Sequence, residues 1–70
     1  MPAKAREFEK VARSLGFVRT RQRGSHGIWM HPDGRGTVIP IHGNQDIGGG
    51  LYHAILSQLG VTEEQFRALK

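Results

Sequence analysis

The chain has 70 residues, no cysteine, and ten Lys and Arg against six Asp and Glu, a formal charge of +4 at pH 7. That length is expected to make one domain, residues 1–70, in which folding buries only about 60% of the surface the unfolded chain exposes. The missing cysteines exclude disulfide staples and Cys-based zinc sites and favour a reducing cytoplasm, and no stretch has the apolar core of a signal peptide or the roughly 20 apolar residues of a membrane span.

Phe8, Val11, Ala12 and Leu15 fall at i, i+3, i+4 and i+7, one apolar stripe, which predicts a first helix over residues 3–15 with Pro2 in its first turn. Gly16 follows the last apolar residue, where a C-terminal cap belongs. Residues 17–22 read as a strand that Gly24 breaks, and residues 26–31 as a second strand. Pro32-Asp33-Gly34-Arg35-Gly36 is a turn, and residues 37–41 a third strand. Pro40 has no N–H to give a ladder, so that strand belongs at a sheet edge, or ends or bulges there. Residues 43–50 read as a glycine-rich loop. A second helix over residues 51–59 follows, with Leu51, Ile55 and Leu59 on one face, Tyr52 and Leu56 beside it, and Gly60 at its end. Thr62 and Gln65 have capping-box spacing and Val61 with Phe66 forms a staple, so residues 63–69 make a short third helix.

The order is therefore α-β-β-β-α with a small extra C-terminal helix. It is an α+β fold in which short connections make the strands an antiparallel meander. Two helices with one apolar stripe each can cover one sheet face and leave the other open, the arrangement of double-stranded-RNA-binding domains.

Charge is concentrated in one half. Residues 1–35 hold eight Lys and Arg against three acidic residues, whereas residues 36–70 hold two against three. A one-sided basic half is the footprint of a polyanion binder. Its densest run, Arg19-Thr20-Arg21-Gln22-Arg23, leads directly into Gly24-Ser25-His26.

Four histidines, His26, His31, His42 and His53, raise the question of a metal site. None falls in a helical i, i+4 pair, and His26 and His31, five apart on a strand, point to opposite faces; no metal is expected. A Ser25–His26 nucleophile pair is also disfavoured, because neighbours on a strand face opposite ways. RNA cleavage needs less, since RNA carries its own nucleophile, the 2′-hydroxyl. One histidine moving a proton contributes about 10²–10⁴-fold, and fixed arginines stabilise the phosphorane charge. This assigns catalysis to His26. Arg21, Arg23 and Ser25 are placed on phosphate, and Lys4, Lys10 and Arg13 supply longer-range attraction.

Trp29, the only tryptophan, alternates with Ile28 and Met30. With those two turned toward the helices, Trp29 faces outward, to stack a base or anchor a protein partner; the other reading packs it at a core edge. The same alternation puts His26 on the Ile28 side. Gly48-Gly49-Gly50, ahead of the second helix, is either a flexible lead-in or an anion cradle, and no P-loop lysine follows it.

Taken in order, Gly24-Ser25-His26, Trp29, Pro40-x-His42, Asp46, Gly48–Gly50 and Ile55-Leu56-x-x-Leu59-Gly60-Val61-x-x-Glu64-x-Phe66 resemble the HicA toxins over nearly the whole chain. That resemblance implies a small mRNA interferase of a type II toxin–antitoxin system, with a double-stranded-RNA-binding-like fold and a catalytic histidine in the Gly-Ser-His motif, here His26. It also implies neutralisation by a HicB-like antitoxin. The chain departs from the pattern in Trp29, where Tyr or Phe is usual, in His53, where a basic residue is common, and in its Gly-Gly run. The expected function is metal-independent endoribonuclease activity with an RNA substrate and a protein inhibitor. The competing readings are a non-catalytic RNA-binding module and a pure protein-interaction domain.

Overall fold

The computed structural model describes residues 2–70. Its elements are β1 (Ala3–Lys4), α1 (Ala5–Ser14), β2 (Val18–Arg23), β3 (His26–Met30), β4 (Gly36–Pro40), β5 (Asp46–Ile47), α2 (Gly49–Leu59) and α3 (Glu63–Leu69). Strands β2-β3-β4 form an antiparallel meander in that order, and β1 pairs with β5 in a separate two-residue ladder. The expected α-β-β-β-α order with its extra helix is present.

Ala5, Phe8, Val11 and Ala12 are the buried stripe of α1. The helix ends where Gly16 takes φ +96°, with Gly16 N–H donating to the Arg13 carbonyl and Phe17 N–H to that of Ala12. Those are the two bonds of a Schellman motif. Helix α2 closes the same way: Gly60 (φ +78°) donates to the Ser57 carbonyl and Val61 to that of Leu56. At α3 the capping box is reciprocal, Gln65 N–H to Thr62 Oγ1 at 3.1 Å and Thr62 N–H to Gln65 Oε1 at 2.9 Å.

The following expectations are corrected. Helix α1 starts at Ala5 rather than residue 3, because Ala3 and Lys4 are extended and paired with Ile47 and Asp46. Pro2 therefore lies outside the helix. The loop after β4 is pinned to the start of α1: the Gln45 and Gly43 carbonyls accept from Ala5 and Arg6 N–H at 2.9 and 3.1 Å. These are amides that a helix N-terminus otherwise leaves without partners. Helix α2 takes in Gly49 and Gly50, and buries Tyr52, Ile55, Leu56 and Leu59 while Leu51 is exposed. The buried set is the i, i+3, i+4, i+7 stripe, one residue round from the face expected through Leu51.

The core lies between the sheet and the helices. Phe17, Trp29 and Ile39 supply the sheet side, and Phe8, Val11, Tyr52, Ile55, Leu59 and Phe66 the helix side. Phe8 and Phe66 stack with centroids 4.6 Å apart, which holds α3 against α1. The Tyr52 hydroxyl donates to Glu63 Oε2 at 3.2 Å, and burial, reinforced by that carboxylate, pushes the phenol above its ordinary pKa. Arg35 joins the β3–β4 turn to α2, donating from Nη1 to the Leu59 carbonyl at 2.9 Å and from Nε to Asp33 Oδ2 at 2.7 Å. The Asp33 carboxyl is held below its ordinary pKa, first by the Arg35 backbone N–H it accepts, against the opposing effect of burial, and then by the Arg35 side chain.

Trp29 belongs to the core. It is 1% exposed, so the outward-facing reading is overturned. Alternation fixes the parity of β3 and leaves its sign open, and the core reading is the one realised. Gly27, its neighbour two residues back on that face, leaves room for the indole by having no side chain. A Cβ on Gly27 would lie 3.3 Å from the indole nitrogen and 3.1 Å from Arg19 Cδ. Ile28 is half-buried and Met30 exposed on the opposite face.

Candidate active site

The uncovered face of the sheet carries the candidate catalytic residues. His26 opens β3 and pairs with Arg23 of β2 on one side and Pro40 of β4 on the other. The two-residue turn Gly24-Ser25 joins β2 to β3, with Gly24 at φ +58° and Ser25 at negative φ. That is the pattern of a hairpin whose first central position favours glycine. The glycine of the Gly-Ser-His run is thus explained by the turn, and the turn sets His26 at the sheet rim.

Pro40 fits beside His26 for a related reason. Ile41 N–H donates to the Ser25 carbonyl at 3.0 Å, so Ser25 and Ile41 form a hydrogen-bonded pair. The adjoining His26–Pro40 pair is then non-hydrogen-bonded, where proline costs the ladder nothing and side chains lie closest.

Strand β2 contains a bulge. Arg19 pairs with Trp29 but Arg21 pairs with Ile28, so Thr20 is the extra residue, and its hydroxyl donates to the Ile28 carbonyl at 3.3 Å. The bulge turns Arg21 and Arg23 onto the open face with His26 while Arg19 stays on the Trp29 side. Arg23, His26, Ile28 and Val38 line one open depression. No described residue hydrogen-bonds the His26 side chain, which is exposed.

The electrostatics are one-sided. No acidic residue occurs between Glu9 and Asp33. Cations elsewhere are engaged: Lys4 with Asp46 at 2.8 Å, Arg35 with Asp33 at 2.7 Å, Arg67 with Glu63 at 3.9 Å and Lys70 with Glu7 at 3.7 Å. Arg19, Arg21 and Arg23 form no ion pair with any described residue. Uncompensated guanidiniums at an exposed imidazole suit a phosphodiester, whose oxygens accept in fork geometry.

The structure brings together only some of the residues singled out from sequence. Arg21, Arg23, Ser25 and His26 share the hairpin. Lys4 caps the β1–β5 corner through Asp46 and the Asn44 carbonyl. Lys10 donates to the Lys70 carbonyl at 2.9 Å, on the α3 side. Arg13 lies over the Trp29 ring, 5.0 Å from its centroid, in a separate groove with Phe17, Val18 and Arg19. Among the described residues, no group of three or more His, Cys, Asp or Glu is arranged to hold a metal ion.

Fold and site together define a small basic α+β protein with an RNA-binding-like arrangement of helices on one sheet face and an imidazole set among arginines on the other. A family model described as the HicA toxin of bacterial toxin–antitoxin systems matches residues 5–61, from the start of α1 to the residue after the α2 cap. A protein of Pseudomonas fluorescens (strain Pf0-1), described as a probable mRNA interferase HicA, is 33% identical over 57 residues, covering 81% of this chain and 93% of the relative. The chain belongs to the HicA toxin family. No helix among the described residues is long and apolar enough to cross a membrane.

Proposed function

We propose that the protein is an mRNA interferase toxin, an endoribonuclease that cleaves RNA without a metal, with His26 moving a proton at the scissile phosphate. The observation that carries this reading is the pairing of exposed, unpartnered His26 with Arg23 on the open sheet face. Arg21 and Arg23 hold the phosphate and stabilise the charge that develops on it. Ser25, at the turn, is placed to add a hydrogen bond to a phosphate oxygen. Activity on mRNA puts the protein in the cytoplasm.

The inhibitor in this reading is a HicB-like antitoxin that covers His26 and its arginines. With Trp29 in the core, the apolar contacts offered on that face are Val18, Met30 and Val38, which are 61%, 39% and 43% exposed. A partner presenting acidic groups around an apolar centre matches that surface and associates quickly by electrostatic steering.

The test is His26→Ala. An exposed side chain with no partner should change stability by no more than about 0.5 kcal/mol, so the variant should unfold like wild type. Its cleavage of RNA in the presence of EDTA should disappear, while wild type leaves a 2′,3′-cyclic phosphate. A folded variant that cleaves normally would remove His26 from the mechanism. A variant that still binds RNA, beside a wild type that never cleaves it, would mark a non-catalytic binder.

A further inference from the structure

The reaction has two proton transfers, and His26 is one group. The 2′-hydroxyl must lose a proton as it attacks, and the leaving 5′-oxygen must gain one. The remaining histidines differ in their availability. His31 is occupied, with Nε2 3.1 Å from the Leu15 carbonyl oxygen and Nδ1 accepting from Asp33 N–H at 3.1 Å. His53 lies on α2, edge-on to Tyr52 with ring centroids 5.2 Å apart. His42 is exposed, and no described residue hydrogen-bonds its side chain.

The backbone of His42 is held from both sides. Ile41 N–H to the Ser25 carbonyl carries the β3–β4 ladder one pair past the end of β4, so His42 leaves the sheet beside the Gly24–Ser25 turn. Gln45 N–H donates to the His42 carbonyl at 2.9 Å, closing a turn whose Gly43 and Gln45 carbonyls are bonded to the first amides of α1. In the register, His26 pairs with Pro40 and His42 stands two residues further on. His26 directly follows Ser25 and His42 directly follows Ile41, so the two histidines are the next residues after a hydrogen-bonded pair that joins the two segments. That juxtaposition suits two imidazoles that flank a phosphate and address the attacking oxygen and the leaving oxygen from either side.

We infer that His42 is a second catalytic residue, and that His26 and His42 divide the two proton transfers of RNA cleavage between them. The inference rests on the assignment of His26 above. The neutral imidazole of the pair takes the 2′-hydroxyl proton as the 2′-oxygen bonds to phosphorus. The protonated one donates to the 5′-oxygen as the P–O5′ bond breaks and its electron pair goes to that oxygen. The products are a 2′,3′-cyclic phosphate and a 5′-hydroxyl. The two imidazoles end with their protonation states exchanged, and nothing further is consumed.

The test uses full-length wild type, His26→Ala, His42→Ala and His42→Gln on two substrates. One is ordinary RNA; the other has sulfur in place of the bridging 5′-oxygen at the cleaved bond, a leaving group that needs no proton. Both His42 variants should slow cleavage of ordinary RNA by about 10²–10⁴-fold. They should also bind a 2′-deoxy analogue of the cleaved site as wild type does. On the sulfur substrate, the loss should vanish for the variants of one histidine and persist for those of the other, which also tells acid from base. Cleavage within threefold of wild type by His42→Ala or His42→Gln would overturn the inference. So would a loss accompanied by equally weakened binding of the analogue, or a sulfur effect that spares or rescues both positions alike. Normal cleavage by His26→Ala would instead strike at the assignment of His26, and this inference would fall with it.

Discussion

Arg19 and Arg21 lie on opposite faces of the same strand, although residues two apart in a regular strand share one. Thr20, bulged between them, reverses the alternation. Arg19 is left beside Trp29, and Arg21 and Arg23 are delivered to the face of His26. Bulges are commonly found where a side chain must be re-aimed at a site.

The first prediction follows from that division. Replacing Arg21 and Arg23 together with Ala should flatten the salt dependence of single-stranded RNA binding by about 1.4 in log–log slope, at roughly 0.7 per phosphate contact. Lys4→Ala with Lys10→Ala should change it less, since those ammoniums are engaged with Asp46 and the Lys70 carbonyl. Equal effects from the two pairs, measured by titration at several salt concentrations, would mean the RNA path is not centred on the hairpin.

Trp29 should behave as a core residue. Trp29→Ala is expected to cost about 3–5 kcal/mol. That is severe for a 70-residue chain, given a typical total on the order of 0.05–0.15 kcal/mol per residue. Trp29→Phe should cost much less, because the indole Nε1 is buried without a hydrogen-bond partner among the described residues. Removing an unsatisfied donor recovers part of the lost packing. Denaturant unfolding of the two variants checks this, and equal losses would show that ring size alone matters.

Gly27→Ala should destabilise the fold, though the residue adjoins the exposed His26 and looks permissive. The new methyl would meet Arg19 Cδ at 3.1 Å, the indole nitrogen at 3.3 Å and the Ile39 carbonyl oxygen at 3.4 Å. Overpacking of this kind costs about 1–3 kcal/mol. An unchanged unfolding midpoint would show that Arg19 and the indole give way freely.

Asp33 sets an acid-side dependence. Its carboxyl pKa is lower in the folded chain than the ordinary 3.8, so the contribution of its bonds to Arg35 is fully present above that value. It is lost as pH falls through the folded pKa. Asp33→Asn should therefore melt below wild type at neutral pH, and the gap should narrow as pH drops below 3.8. A gap that is constant through that range would mean the aspartate acts by turn geometry alone.

Much of this was legible in local sequence. The Phe8-Val11-Ala12 stripe, Gly16 and Gly60 as caps, the Thr62–Gln65 box and the turn at Gly24 each act within a few residues, so short-range spacing reveals them. The Gly24-Ser25-His26 run beside unbalanced arginines is likewise a local feature, and the proposed RNA chemistry starts from it. What the tertiary structure decided were choices between equivalent local solutions. Alternation in β3 allows Trp29 in or out, and the inward solution prevails because the indole is the largest apolar group the strand can bury. The bulge at Thr20 has no composition signal, since it depends on pairing with β3. The β1–β5 ladder, which delays α1 to Ala5 and pins the turn after His42, joins residues about forty apart in sequence. Long-range contacts of this sort are set by global burial and by hydrogen bonds between distant segments, and no local pattern records them.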